Sequence, residues 1–306
     1  MGDGAEFDAI RRLLAVWGAD ARGIGDDGAV LAIPAGEQLV ASTDATIEDV
    51  HFRRPWLTPI EIGARAAAAA LSDLAAMAAE PRGLLVAVGL PPDWRGELDE
   101  LARGIASTAS EVGCPIVGGN ISLAPALSLT LTVLGSSRAP LHRSGALPGD
   151  IIFVTGRLGG SGAALDALLA GAVPANEHRA RFAAPRPRIR EARWLAAAGA
   201  RAAIDISDGL LADAAHLAAA SNVSIMIDRA RLPLVPGTDG DRALTSGEEY
   251  ELLVAIPPSA RVDVQEFMAR FSIPLTEIGA VIAKRDQRVI SGEFESAQGG
   301  HDHLAG

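Results

Sequence analysis

Apolar and polar residues recur along this chain with two different periods, which predict two kinds of element. Residues 38–43 form a short apolar block, and residues 126–134 alternate apolar side chains with Ser or Thr, so both segments are predicted to be strands. Residues 60–79 and 96–111 repeat apolar positions every three or four residues, as a helix does. The first half of the chain is therefore expected to combine strands with helices.

Residues 143–149 are rich in turn residues, and we interpret them as a link between a domain at 1–147 and a domain at 148–306. The second domain is again expected to combine strands with helices. The basic, proline-containing stretch 177–190 is expected at the surface. Strands alternating with helices in both halves favour an α/β (α+β) fold with sheets covered on at least one face. The predicted strands of the second half are 150–155, 202–206, 223–227 and 250–256, and its predicted helices are 162–170, 209–220 and 262–271.

The net charge of −11 over 306 residues argues against nucleic acid or an anionic membrane as a partner, since both select clustered positive charge. Cys114 is the single cysteine, so an internal disulfide is excluded and a reducing compartment is expected. The N-terminal sequence lacks the basic start and apolar run of a signal peptide, and the apolar stretch 66–71 is too short to span a membrane. We therefore expect a cytoplasmic protein.

Lysine is nearly absent, and this limits the possible phosphate chemistry. Of the 27 basic residues only Lys284 is a lysine, and no glycine loop precedes it, which excludes a P-loop kinase. Any phosphate transfer in this chain is therefore expected to recruit metal ions.

Carboxylates lie beside glycines or hydroxyl side chains in four short segments, 25–28, 42–44, 72–73 and 205–209. Each segment alone is more often an ordinary turn or helix cap. Together they are more informative, because Asp73 interrupts an apolar helix and a carboxylate there is costly without a cationic partner. The cation could be arginine or a metal, and several Asp with Ser or Thr hydroxyls form the hard-oxygen set that suits Mg2+.

Other catalytic patterns are weaker. The six histidines are scattered and form no zinc pattern, and no Gly-x-Ser-x-Gly elbow occurs. The glycine-rich segment 156–162 follows a predicted strand and opens a predicted helix, so it could cradle a phosphate, but it lacks the dinucleotide spacing. We interpret this segment as a helix-entry loop.

In chain order, these segments resemble the motifs of thiamine-monophosphate kinases, a family of the aminoimidazole ribonucleotide synthetase-like superfamily. The resemblance covers nearly the whole chain. The matching stretches are Gly-Ile-Gly-Asp-Asp-Gly-Ala-Val at 23–30, Ser-Thr-Asp at 42–44 with Val-His-Phe at 50–52, Leu-Ser-Asp-Leu-Ala-Ala-Met at 71–77, Val-Gly-Gly at 117–119, Arg-Ser-Gly-Ala at 143–146, Asp-Ile-Ser-Asp-Gly-Leu at 205–210 and Ser-Gly-Glu-Glu-Tyr-Glu-Leu at 246–252.

The resemblance implies an N-terminal domain that binds ATP and Mg2+ and forms a homodimer, followed by a C-terminal α/β domain. It implies direct in-line transfer of the γ-phosphoryl group of ATP to thiamine monophosphate, assisted by several Mg2+ ions and without a general base. The implied metal ligands are Asp26, Asp27, Ser42, Thr43, Asp44, Asp73, Asn120, Asp205 and Asp208. The implied ATP contacts are Gly118, Gly119, Arg143 and Ser207, and the implied substrate contacts are His51, Glu251 and His301.

The chain departs from the family pattern most clearly at Asn120, where the family usually has an aspartate, so one negative charge is missing beside the metals. Two alternatives to the kinase therefore stay open. One is a related ATP-dependent enzyme with another substrate, and the other is a catalytically weakened paralogue that binds nucleotide or thiamine phosphate.

Overall fold

The computed structural model describes residues 4–260 and 262–291, so the implied substrate contact His301 lies outside the described residues. The chain divides into two compact units, the first comprising residues up to 74 with 79–140, and the second comprising 75–78 with the residues from 141 on. Each unit contains a sheet and helices, which confirms the α/β (α+β) class. The change of unit at 140/141 lies shortly before the predicted link.

The first unit contains a four-stranded sheet in the order β1-β4-β2-β3, in which β4 is antiparallel to both neighbours and β2 is parallel to β3. Strand β1 continues through Asp44 to Ile47, so the predicted strand 38–43 was four residues too short. The elements are α1 (Ala5–Trp17), β1 (Gln38–Ile47), α2 (Pro59–Ala76), β2 (Glu80–Leu90), α3 (Leu98–Glu111), β3 (Ile116–Leu123) and β4 (Ser128–Ser137).

The first sheet has one covered face and one open face. On β4, Leu131 and Val133 are fully buried, whereas the intervening Thr130 and Thr132 are only partly buried. This alternation follows from the two-residue period of a strand. The covered face lies against α2, because Ser42 of β1 bonds Asp73 of that helix.

Helices α2 and α3 approach each other closely at two glycines. A Cβ atom at Gly63 would lie 2.1 Å from the carbonyl oxygen of Leu101, and one at Gly104 would lie 2.0 Å from the carbonyl oxygen of Ile60. Both distances are far below van der Waals contact, so this helix crossing requires residues without side chains.

In the described part of the second unit, six strands form one sheet in the order β10-β7-β9-β5-β8-β6, antiparallel except for the pair β10 and β7. Helix α7 contributes Leu210, Ala214 and Leu217 to its core. The elements are β5 (Ile151–Thr155), α4 (Gly160–Leu169), α5 (Asn176–Ala183), α6 (Ile189–Ala197), β6 (Ala202–Asp205), α7 (Leu210–Ser221), β7 (Ser224–Ile227), α8 (Gly240–Thr245), β8 (Leu252–Ile256), α9 (Val264–Phe271), β9 (Leu275–Ile282) and β10 (Val289–Ile290).

The surface prediction for 177–190 was wrong in part. Phe182 is buried, and the side chain of Arg188 is only 13% exposed because it bonds an internal carboxylate. Among the described residues, no helix is both long enough and apolar enough to cross a membrane.

Candidate functional site

In the first unit, the structure joins two of the predicted metal ligands directly. The hydroxyl of Ser42 on β1 donates a hydrogen bond to Oδ2 of Asp73 on α2. Asp44 lies two residues further along β1, on the same face of the strand as Ser42, and its Oδ1 accepts a hydrogen bond from the backbone N–H of Ala45. We call these three residues, Ser42, Asp44 and Asp73, the Ser42 cluster.

Two further predicted site residues, Thr43 and His51, lie on β1 and shortly after it. Thr43 is on the open face of the sheet, where its hydroxyl is 3.0 Å from that of Thr132 on β4. His51 follows β1, and its Nδ1 accepts a hydrogen bond from the backbone N–H of Ile47 at 3.1 Å. The proton of the neutral ring is therefore on Nε2.

The predicted nucleotide residues Gly118 and Gly119, with Asn120, lie on β3, at the opposite edge of the sheet from β1. The pairing register connects Asp44 to Gly119 through β4 and β2, which places the two residues three strand spacings, or about 14 Å, apart. Gly119 cannot carry a side chain, since its Cβ would lie 1.9 Å from the carbonyl oxygen of Val86. Asn120 is exposed.

Asp26 and Asp27 lie in an exposed segment between α1 and β1. Within residues 4–260 and 262–291, neither carboxylate has a hydrogen bond or an ion pair. The structure therefore leaves the oxygens of both carboxylates available.

In the second unit, Asp205 ends β6, and Ser207 and Asp208 follow it in the turn that leads to α7; we call residues 205–209 the acidic turn. Oδ2 of Asp213, in the first turn of α7, accepts hydrogen bonds from the backbone N–H groups of Ser207 (3.0 Å), Asp208 (3.0 Å) and Gly209 (3.1 Å). The chain therefore wraps around one carboxylate oxygen.

This turn concentrates negative charge. Burial, together with the nearby carboxylates of Asp205 and Asp208, raises the pKa of Asp213 to about 8. Nε2 of His216, which lies one helical turn after Asp213, is 4.0 Å from Oδ2 of Asp208. Among the described residues, Asp208, Asp213 and His216 lie close enough together to hold one metal ion.

A strained segment lies along the other side of the acidic turn. Glu248 and Tyr250 both have positive φ angles, of 54° and 51°. The backbone N–H of Glu248 donates to the carbonyl oxygen of Ser207 at 2.7 Å, and the N–H of Tyr250 donates to that of Ile206 at 2.9 Å. These bonds fix the backbone of the acidic turn from the side opposite Asp213.

The carboxylate of Glu251, a predicted substrate contact, is hydrogen-bonded to other protein groups. Its side chain is 1% exposed and forms two hydrogen bonds with the Arg188 guanidinium, at 2.6 and 2.8 Å. The hydroxyl of Thr155 donates a further bond at 2.7 Å. A direct substrate contact by Glu251 would require these bonds to open, and Glu248 is the more exposed acid of the segment.

Internal side chains accept hydrogen bonds from the backbone N–H groups of the glycine-rich segment 156–162. Oε1 of Glu249 accepts the backbone N–H groups of Gly159 at 2.9 Å and Ser161 at 3.1 Å, and Oγ of Ser246 accepts that of Gly162 at 2.7 Å. An internal carboxylate thus occupies the place that a phosphate would take at this helix start. Burial raises the pKa of Glu249 to about 7.

Two further sequence expectations concern single residues. Arg143 is exposed, and its backbone carbonyl accepts a hydrogen bond from the hydroxyl of Ser221 at 2.9 Å. Cys114 is buried, and burial raises the pKa of its thiol to about 12, so it is not a thiolate nucleophile at neutral pH.

The sequence analysis missed three charged residues that shape these sites, Asp213, Glu249 and Arg188. The signal for Asp213 was present, because a carboxylate in the apolar run Leu-Leu-Ala-Asp-Ala-Ala is as costly as Asp73 is in α2. Glu249 and Arg188 had no comparable signal, since their partners lie far away in the sequence.

Comparisons with known proteins agree with these motifs. The model of the AIR synthase related protein N-terminal domain matches residues 25–137, and that of the C-terminal domain matches 148–292. The thiamine-monophosphate kinase of Escherichia coli K12 is 35% identical over 306 residues, covering 92% of each chain, and that of Synechococcus elongatus is 38% identical over 251 residues, covering 76% of this chain and 77% of the relative.

Solved structures give the same result. The crystal structure of thiamine-monophosphate kinase from Stenotrophomonas maltophilia superposes with a TM-score of 0.83 at 35% identity, covering 94% of this chain and 96% of that one. AaThiL, solved as a complex with AMPPCP and TMP, has a TM-score of 0.78 at 30% identity, covering 96% of this chain and 94% of that one. The chain therefore belongs to the thiamine-monophosphate kinase family of AIR synthase related proteins.

Proposed function

We propose that this protein transfers the γ-phosphoryl group of ATP to thiamine monophosphate, giving thiamine diphosphate and ADP. The observation that carries the proposal is the oxygen-only donor set of the Ser42 cluster and the acidic turn, in a chain with a single lysine. Family membership and the AaThiL complex with AMPPCP and TMP support the same pair of substrates.

The donor chemistry fits Mg2+. Carboxylate and hydroxyl oxygens are the ligands that Mg2+ prefers, and the oxygens of Asp26 and Asp27 have no partner within the described residues. When bound, Mg2+ would neutralise the charge of the phosphate groups in the transition state. The residues that would hold Mg2+ ions are Asp26, Asp27, Ser42, Thr43, Asp44, Asp73 and Asn120 in the first unit, and Asp205 and Asp208 in the second.

The protein itself then has to bind and orient two anions. The acceptor is a phosphate with a second pKa of about 6, so it is already an anionic nucleophile at neutral pH and needs no general base. Gly118, Gly119, Ser207 and Arg143 are the proposed ATP contacts. His51 would donate from Nε2 to the substrate, since its Nδ1 already accepts a bond. Transfer is direct and in line, without a phosphoenzyme.

A homodimer through the first unit is part of this proposal. The open face of the first sheet and its two edge strands, β1 and β3, are where a second copy would add. The separation of about 14 Å between the β1 and β3 edges is too large for Asp44 and Asn120 of one chain to bind the same ion. A metal site that uses both residues would therefore take them from two copies.

Asn120 supports one second candidate, a paralogue that binds the same ligands with little turnover. A neutral amide there gives the site one negative charge less than an aspartate would.

The two candidates are separated by incubating the protein with MgATP and thiamine monophosphate and following thiamine diphosphate. We expect product, its loss in Asp44→Asn, and its retention in Asp166→Asn, a carboxylate on α4 that pairs with Arg242 outside the proposed site. Labelled ATP without acceptor should leave no label on the protein. Ligand binding without product would support the weakened paralogue and overturn the kinase.

A further inference from the structure

We infer that Asp213 is a positioning residue that holds the acidic turn in its ligand-binding shape through its three backbone hydrogen bonds. The inference rests on the proposed function, since it concerns the turn that carries Asp205 and Asp208. Asp213 itself is not assigned a contact with metal, ATP or substrate.

The geometry is specific. Three consecutive N–H groups, those of Ser207, Asp208 and Gly209, point at one oxygen of Asp213 at 3.0–3.1 Å. Consecutive N–H groups converge in this way where the backbone curves into a nest around an acceptor. The position of that oxygen therefore determines the path of the chain between Asp205 and the start of α7.

Stability alone does not explain a carboxylate at this position. Asp213 is 1% exposed and lies in a helix whose buried neighbours include Leu210, Ala214 and Leu217. Burying a carboxylate is costly, and placing it beside two further carboxylates adds repulsion. The gain is a defined backbone at the one turn of this unit that carries two predicted metal ligands.

The direct alternative is that Asp213 is itself a metal ligand together with Asp208 and His216. The two roles make different demands on the side chain. Holding three N–H groups requires an acceptor oxygen, which Asn also has, whereas binding Mg2+ benefits from the negative charge, which Asn lacks.

The test compares Asp213→Asn with Asp213→Leu and measures binding of Mn2+ in the presence of AMPPCP by electron paramagnetic resonance, well below the melting temperature. We expect the Asn variant to stay within about threefold of the wild-type dissociation constant and the Leu variant to bind at least about tenfold more weakly. As a matched control, Asp263→Asn and Asp263→Leu remove a carboxylate that accepts the N–H groups of Gln265 and Glu266 at the start of α9, and neither should change Mn2+ binding.

Equal loss in both Asp213 variants would make Asp213 a ligand and overturn the inference, as would wild-type binding by the Leu variant. A wild-type protein that binds no Mn2+ would overturn the proposed metal site and the inference with it. If the Leu variant does not fold, hydrogen exchange of the metal-free wild type decides: the amides of 207–209 should be protected before metal is added, and fast exchange there would contradict the role of Asp213.

Discussion

Individual side chains determine the charge of the candidate site in each unit. The Ser42 cluster and the acidic turn supply carboxylates, while Asn120 places a neutral amide next to the two glycines of β3. Elsewhere Glu249 carries a buried carboxylate whose Oε2 has no hydrogen-bond partner among the described residues. Asn120 and Glu249 each lead to a prediction that depends on the charge of that one side chain.

Replacing Asn120 by Asp should lower the Mg2+ concentration needed for half-maximal activity by about three- to tenfold, because carboxylates bind hard cations more tightly than amides do. The measurement is a Mg2+ titration of thiamine diphosphate formation. Asn176→Asp makes the same chemical change at an exposed position at the start of α5 and should have no effect. An unchanged Mg2+ dependence in Asn120→Asp would remove Asn120 from the metal site.

Replacing Glu249 by Gln should flatten the dependence of stability on pH. The pKa of Glu249 is about 7 in the folded protein against an ordinary value of 4.5, so between these values the folded state binds more protons than the unfolded state, and stability falls as pH rises. From pH 5 to 8 the wild type should lose about 2–3 kcal/mol more free energy of unfolding than Glu249→Gln. Urea unfolding measures this, with the exposed Glu266→Gln as a control that should follow the wild type.

At the scale of elements, local periodicity predicted α2, α3, α7 and α9 well, because each shows a clear helical pattern. The sequence analysis did not predict strands β2 and β3. Their positions depend on pairing with β4 and with each other, and a short apolar run does not reveal its partner. The same holds for the close crossing of α2 and α3, whose glycines look like ordinary helix-weakening residues in the sequence.

Replacing Gly63 or Gly104 by Ala should destabilise the protein by about 2–3 kcal/mol, since each new methyl group would overlap a backbone carbonyl of the facing helix. Without that contact, Ala in a helix would instead stabilise by about 1 kcal/mol, so the sign of the change is diagnostic. Thermal unfolding gives the measurement. Gly96→Ala, which meets nothing within 4 Å, serves as the control, and a melting temperature raised by Gly63→Ala would contradict the close crossing.

At the scale of the whole molecule, the sheet register separates residues that the motifs seemed to place in one site. Asp44 and Asn120 lie on opposite edge strands of the first sheet. A closed two-fold assembly is a simple way to bring such edges together, since it pairs surfaces of two copies.

Co-expression of Asp44→Asn and Asn120→Arg chains with different tags should therefore restore activity that each variant lacks alone. A mixed dimer would have one site with both changes and one intact site, so the isolated mixed dimer should recover about half of wild-type activity. The mixed species is isolated by its two tags and assayed for thiamine diphosphate. If both residues of a site came from one chain, neither site of the mixed dimer would be intact, and no recovery would be seen.

The sequence by itself determined the chemistry available to this protein. Residue type fixes which donors exist, and their order along the chain was enough to indicate the family. Only the tertiary structure decided which groups those donors meet: it filled the glycine loop with Glu249, tied Glu251 to Arg188 and wrapped the acidic turn around Asp213. The reason is that such partners are set by strand register and helix packing between distant segments, and those contacts leave no local pattern in the sequence.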